Sequence, residues 1–317
     1  MTSAVVFAYS EVGVRCLRVV LRQGVHVALV VTHEDDPSER KWFGSVAELA
    51  REHRVPVSTP ADPDTQELIE RIEFLRPDFL FSFYYRYLLS ERLLATAGRG
   101  ALNMHGSLLP KYRGRAPVNW AIVKGEVETG ASLHYMEARP DAGPLVGQEA
   151  VPILINDTAL DVSLKVAAAA ERLLGRCLPE LIAGRAPSAA LDLARGSYFG
   201  RRRPEDGKIH WDRPALEIHN LIRAVAPPFP GAFGRFGEHT LRVLGSRYLE
   251  RSARHTRQAP CLYAEDGALQ LDCSDGKQLT LTQTEFDGAV LSAESFLDRF
   301  GYTPLHLLND RLHSTVA

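Results

Sequence analysis

The sequence predicts an α/β protein: a mostly parallel sheet with flanking helices, followed by a small β-barrel domain. Three observations carry this. The first hundred or so residues alternate short apolar runs with segments of helical period, as strands buried on both faces by crossover helices do. The chain has 317 residues, more than one hydrophobic core usually organises, so two domains are expected. Beyond Gly207 the texture changes to short strands broken by Gly237, Asp266-Gly267 and Asp275-Gly276, and Asp-Gly pairs are hairpin signals.

Val5-Val6-Phe7-Ala8-Tyr9 reads as the first strand. Val14, Leu17, Val20 and Leu21 then keep helical spacing, and Val25 to Val31 makes a second strand. This β-α-β opening predicts a right-handed crossover. It carries no G-x-G-x-x-G, so a dinucleotide fingerprint is absent. Ligands of such sheets bind beyond the carboxyl ends of the strands. Tyr9 and Ser10 stand there, as ligand contacts or as a plain turn.

The loop Thr32 to Gly44 is polar, with His33-Glu34-Asp35-Asp36 near its start. Ser45 and Glu48 form a capping box for a helix running to His53. Val55-Pro56-Val57 is a brief edge strand. Leu68, Ile69, Ile72 and Leu75 mark a helix that Pro77 ends. Phe79 to Phe83 is another buried strand, followed by Tyr84-Tyr85-Arg86-Tyr87. That aromatic run suits either rim packing or the face of a flat heterocycle.

Ala101 to His105 forms the next strand, in which Asn103 and His105 share a face. Gly106-Ser107 breaks it, and a helix restarts near Ala116-Pro117. Two polar side chains at a strand's carboxyl end are either satisfied structural residues or an active-site edge. Gly130 to Met136 and Val146 to Ile153 are strands around the loop Glu137 to Gly143. Asp161 to Leu178 is a long helix with Asp157-Thr158 as its cap. The first domain is expected over 1–190, a linker over 191–206 and the second domain over 207–317. The linker carries Arg201, Arg202 and Arg203, a solvated face or a phosphate grip. A helix at Pro214 to Val225 opens the second domain.

The net charge of -2 excludes the basic field that non-specific nucleic-acid binding needs. No apolar run reaches the roughly 20 residues of a membrane helix. The start, Met1 to Phe7, has neither the basic region nor the cleavage site of a secretory signal. A cytoplasmic protein without a membrane partner is therefore expected. Cys16, Cys177, Cys261 and Cys273 show no C-x-x-C spacing and read as small apolar residues in a reducing compartment. No metal site is expected.

The stretch Asn103-Met104-His105-Gly106-Ser107-Leu108-Leu109-Pro110-Lys111-Tyr112-Arg113-Gly114, with Asp141-Ala142-Gly143 downstream, resembles the folate-dependent formyltransferases. The resemblance implies a Rossmann-like catalytic domain, an OB-like C-terminal barrel and N10-formyltetrahydrofolate as co-substrate. It implies catalytic roles for Asn103, His105 and Asp141, and a folate-facing loop comprising Ser82, Tyr85, Arg86, Tyr87 and Leu88. In that chemistry an amine attacks the formyl carbon and the carbonyl oxygen becomes an oxyanion. One fixed donor to such an oxygen, here the Asn103 amide, is worth about 3–4 kcal/mol. His105 can donate and move protons at neutral pH, and Asp141 can orient it. Either His105 or Asp141 is the base.

Within the family the sequence is most similar to the branch that formylates UDP-4-amino-4-deoxy-L-arabinose for lipid A modification and polymyxin resistance. Val5 to Tyr9, Phe81 to Arg86, Asn103 to Trp120, Phe199 to Arg202 and Arg223 to Ala226 carry that similarity. It implies a UDP-linked 4-amino sugar as acceptor, with Arg115 as its most specific contact. Asn119 lies one helical turn further on, and Tyr9, Ser10, Arg201 and Arg202 complete the expected sugar-nucleotide contacts. That branch continues into a decarboxylase domain, so the decarboxylation is expected of another polypeptide. The methionyl-tRNA formyltransferases are the alternative. They carry a longer basic loop where this chain has the acidic His33 to Arg40, whose carboxylates would repel a phosphate backbone. A folate- or nucleotide-binding protein without turnover and a formate-releasing hydrolase are further readings.

Overall fold

The computed structural model describes residues 1–35, 42–255, 260–308 and 311–313. Two units divide the chain: Met1–Pro117 with Glu128–Pro152 and Ser163–Gly200, and Val118–Val127 with Ile153–Val162 and Arg201–Ala317.

The first unit holds β1 (Ser3–Ala8), α1 (Ser10–Arg22), β2 (His26–Val31), α2 (Val46–Glu52), β3 (Val57–Ser58), α3 (Gln66–Leu75), β4 (Phe79–Phe83), α4 (Glu91–Leu94), β5 (Ala101–His105) and β6 (Arg113–Gly114). After α5 (Pro117–Val123) come β7 (Glu128–Tyr135), β8 (Leu145–Pro152), α6 (Ala159–Ile182) and β9 (Tyr198–Phe199). The sheet order is β3-β2-β1-β4-β5-β7-β8. β3 through β5 run parallel and β7 and β8 antiparallel. Ala4 to Ala8 and Phe79 to Phe83 are buried, as central strands covered on both faces must be. Ser45 caps α2 by accepting from the Glu48 N–H at 3.2 Å. The order reverses between β1 and β4, and the carboxyl edge at such a switch point is where ligands enter an open α/β sheet.

α6 runs past the predicted end at Leu178 and continues through Pro179 to Ile182. A proline inside a helix removes one rung of the ladder and frees the carbonyl four residues back. That carbonyl belongs to Gly175, and it accepts from Gln23 Nε2 at 2.9 Å. The pairing of β6 with β9 has no counterpart in the expectations, because two residues carry no period. Among the described residues no helix is long and apolar enough to cross a membrane.

Besides most of α5, the second unit holds α7 (Ala215–Ala224), β10 (Ala232–Phe236), β11 (His239–Ser252), β12 (Cys261–Glu265), β13 (Ala268–Asp272) and β14 (Lys277–Phe286). β15 (Ala289–Val290), α8 (Ala293–Phe300), β16 (Leu305–Leu308) and β17 (Arg311–His313) complete it. These strands make an antiparallel half-barrel, ordered β10-β11-β14-β13-β12-β16-β17 with β15 against β14. Turns fall at all three predicted glycines, and at one of them Asp266 and Gly267 both have positive φ, 48° and 73°, as a tight hairpin turn requires. Trp211, Ile218, Ile222, Phe236, Leu262, Leu279 and Phe296 build the core beneath the sheet.

Candidate active site

Register builds the site. Across β4, β5 and β7, Ser82 stands opposite Asn103 and Asn103 opposite His134. In-register neighbours project to one face of a sheet, so the three form a row beside the switch point. His105 lies one alternation further along β5, opposite Ser132.

Four side chains converge from this row and the loop after β7. Asn103 Nδ2 is 3.2 Å from His134 Nε2 and 3.4 Å from Asp141 Oδ1. His105 Nδ1 and His134 Nε2 are each 3.5 Å from Asp141 Oδ1. His105 Nε2 donates to the Tyr112 carbonyl at 2.8 Å, which turns Nδ1 towards Asp141. Asp141 adopts a left-handed backbone, φ 52°, and its Oδ2 accepts the Gly114 N–H at 2.8 Å. Burial alone would raise the Asp141 pKa. The His105 and His134 rings and the Gly114 N–H outweigh it and hold the carboxyl far below the usual carboxylate range.

The loop between His105 and Tyr112 is fastened from beneath by Ser132, which is fully buried. Its Oγ donates to the Ser107 carbonyl and accepts from the Leu109 N–H at 3.1 Å and Gln148 Nε2 at 2.9 Å. At Gly106 a Cβ would coincide with the Tyr84 hydroxyl, so any side chain there displaces that ring. Gly114 is required, since it has φ 95° and a Cβ would strike the Phe199 carbonyl oxygen. Arg113, between the two backbone anchors of His105 and Asp141, is 6% exposed and its Nε has no hydrogen-bond partner.

Of the expected folate-loop residues, Ser82 is buried beside Asn103. Tyr85 packs edge-on to Phe7 and stacks on His33 at 4.4 Å. Arg86, Tyr87 and Leu88 are exposed, and the Arg86 guanidinium covers the Tyr9 ring at 4.3 Å. Tyr9 also meets His33 and Phe43 edge-on. Ser10 follows it with φ 61°. Arg115 donates to the Arg86 carbonyl, which brings the expected folate loop and one expected sugar-nucleotide residue together.

The remaining expected contacts belong to the second unit. Asn119 gives its amide to the Ala224 carbonyl at 2.6 Å. Arg202 stacks over Trp120 at 4.9 Å and donates to the Asp206 carbonyl at 2.7 Å, while Arg201 is exposed. Asp36 to Arg40 of the acidic loop lie outside the described residues.

His134 is the residue that sequence reasoning missed. The signal was present as Ser132 and His134 alternating in a strand. Only the β5–β7 register puts it against Asn103.

Residues 14–178 match the family model described as formyl transferase, and residues 202–301 the one described as formyl transferase, C-terminal domain. Among solved structures, the N-formyltransferase from Helicobacter canadensis, in complex with folinic acid and dTDP-3-aminofucose, is similar with 21% identity and a TM-score of 0.71. That match covers 89% of this chain and 99% of the other. A sugar 3N-formyl transferase, in the presence of dTDP and 5-N-formyl-THF, matches at 20% identity and TM-score 0.71 over 89% of this chain and 97% of its own. Glycinamide ribonucleotide transformylase 1 from Symbiobacterium toebii is 25% identical with a TM-score of 0.52, over 61% of this chain and 95% of its own.

Proposed function

Because the chain belongs to the formyl transferase family, we propose that it moves the formyl group of N10-formyltetrahydrofolate to the amine of a nucleotide-linked amino sugar. The observation that carries the chemistry is the convergence of Asn103, His105 and Asp141 at the carboxyl edge of β5. The amine nitrogen attacks the formyl carbon, and an Asn103 N–H meets the oxyanion that forms. His105 takes the proton released by the amine and gives it to the departing folate nitrogen. Asp141, held as a carboxylate, is a poor base at neutral pH, so it steadies the His105 imidazolium instead.

The folate would lie along Ser82 and Tyr85 to Leu88. The aromatic group of Tyr9, His33 and Tyr85 with the Arg86 and Arg115 guanidiniums supports a nucleotide at the neighbouring edge, since rings stack on a base and guanidiniums fork onto phosphate. Two neighbours were solved with dTDP or a dTDP-amino sugar, which favours that acceptor class. The finer reading is UDP-4-amino-4-deoxy-L-arabinose, with lipid A modification as its outlet and a cytoplasmic site of action.

A mass-spectrometric transfer assay tests this. N10-formyltetrahydrofolate is offered with UDP- and dTDP-linked amino sugars and with methionyl-tRNA. Gain of one formyl group on the UDP-arabinosamine is the expected result. Formylation of a different nucleotide sugar would retire only the finer reading, and formyl-methionyl-tRNA as sole product would replace the acceptor class altogether. Asn103→Ala should lower turnover by on the order of 100-fold with an unchanged circular dichroism spectrum.

A further inference from the structure

The Asn103 amide nitrogen has two acceptors inside the protein, His134 Nε2 at 3.2 Å and Asp141 Oδ1 at 3.4 Å. The two acceptors lie 3.5 Å apart on one side of it, which leaves the other side of the amide for a developing oxyanion. The ring that holds it there is His134, 1% exposed. Its Nδ1 donates to the Tyr135 carbonyl at 2.7 Å, so the neutral ring offers only a lone pair at Nε2. A buried lone pair wants a donor, and Asn103 Nδ2 is the one in register opposite. With His134 accepting, Nδ2 rather than Oδ1 is the end of the amide turned to this row, and Asp141 Oδ1 favours the same end.

We propose that His134 is a positioning residue for Asn103: by accepting from Nδ2 at its Nε2 it holds the amide so that an N–H, not the amide oxygen, is presented to the formyl oxygen. The inference rests on the formyl-transfer reading. The charged and titratable groups facing His134 are Asp141, from the loop after β7, and His105, which shares the same carboxylate oxygen from β5.

A double-mutant cycle tests it. His134→Ala is expected to lower kcat at least about tenfold while the KM for formyl donor and for acceptor stay within about twofold. Combined with Asn103→Ala it should lower kcat no further than Asn103→Ala alone. His134→Gln, whose amide can donate or accept, should restore part of the rate, and it replaces His134→Ala in the cycle if that variant does not fold. Multiplying losses in the double variant would overturn the proposal, because a merely structural His134 would act independently of Asn103. Histidine 15N spectra give a readout without turnover: Asn103→Ala should move the His134 Nε2 resonance and leave Nδ1 in place. An unmoved Nε2 would also overturn it. Wild-type protein that transfers no formyl group would sink the proposed function instead, and the spectra would still decide the coupling.

Discussion

Asp141 is held as a charge by three neighbours and as a shape by its backbone. Asparagine tolerates the left-handed region about as well as aspartate, so Asp141→Asn should keep the fold and lose the charge. Turnover is expected to fall at least about 100-fold with an unchanged melting curve, measured by kinetics beside circular dichroism. Since the carboxyl lies far below the usual range, it stays ionised across about pH 5 to 8, and an acid limb of kcat in that window does not come from Asp141. Asn103, His105 and Asp141 were legible in the sequence because a long motif fixes them. His134 was not, since its place opposite Asn103 comes from an antiparallel register that no local pattern encodes. The expected role of Asn119 was read from helical spacing, and that spacing could not reveal that Ala224 takes its amide.

At the scale of elements, the apolar runs gave β1, β2, β4 and β5 because strands buried on both faces are written as continuous hydrophobics. Ends were less legible: α6 outruns its prediction because Gln23, far away in sequence, satisfies the carbonyl that Pro179 frees. Two element contacts can be tested. Ser132→Ala removes the hydroxyl that ties the loop after β5 to β7. It should cost about 1–3 kcal/mol in urea unfolding and lower turnover as well, since Tyr112 no longer sits firmly behind His105. In α7, His219 is fully buried, with Nε2 donating to the Ile155 carbonyl at 2.9 Å and Ser246 Oγ donating to Nδ1 at 2.8 Å. Burial pushes its pKa down to about 4, below the unfolded value of about 6.5. The neutral ring therefore contributes stability above about pH 6.5, and that contribution drains away between about pH 6.5 and 4. Wild-type stability should fall over this interval by roughly 3 kcal/mol more than that of His219→Gln, read as the difference between their urea midpoints.

At the scale of the molecule, the second unit is not one run of sequence. Val118–Val127 and Ile153–Val162 belong to it, which composition and hairpin signals did not disclose. Arg223 in α7 is 5% exposed and donates to the carbonyls of Leu154 and Asp157, both outside any fragment that begins at Arg201. A 201–317 fragment should therefore lack a cooperative melting transition, for a buried guanidinium stripped of those two carbonyls keeps only Asn220 Oδ1, at a cost of several kcal/mol. A sharp calorimetric peak from that fragment would contradict this. The glycine at 106 reaches further than its own turn. The hollow left by its missing side chain is filled by the Tyr84 hydroxyl, so the loop after β5 and the loop after β4 mesh like a socket and its plug. For anyone redesigning this enzyme, the two positions are one site: a larger residue at 106 is admissible only with a smaller one at 84, and libraries that vary them separately will sample mostly jammed sequences.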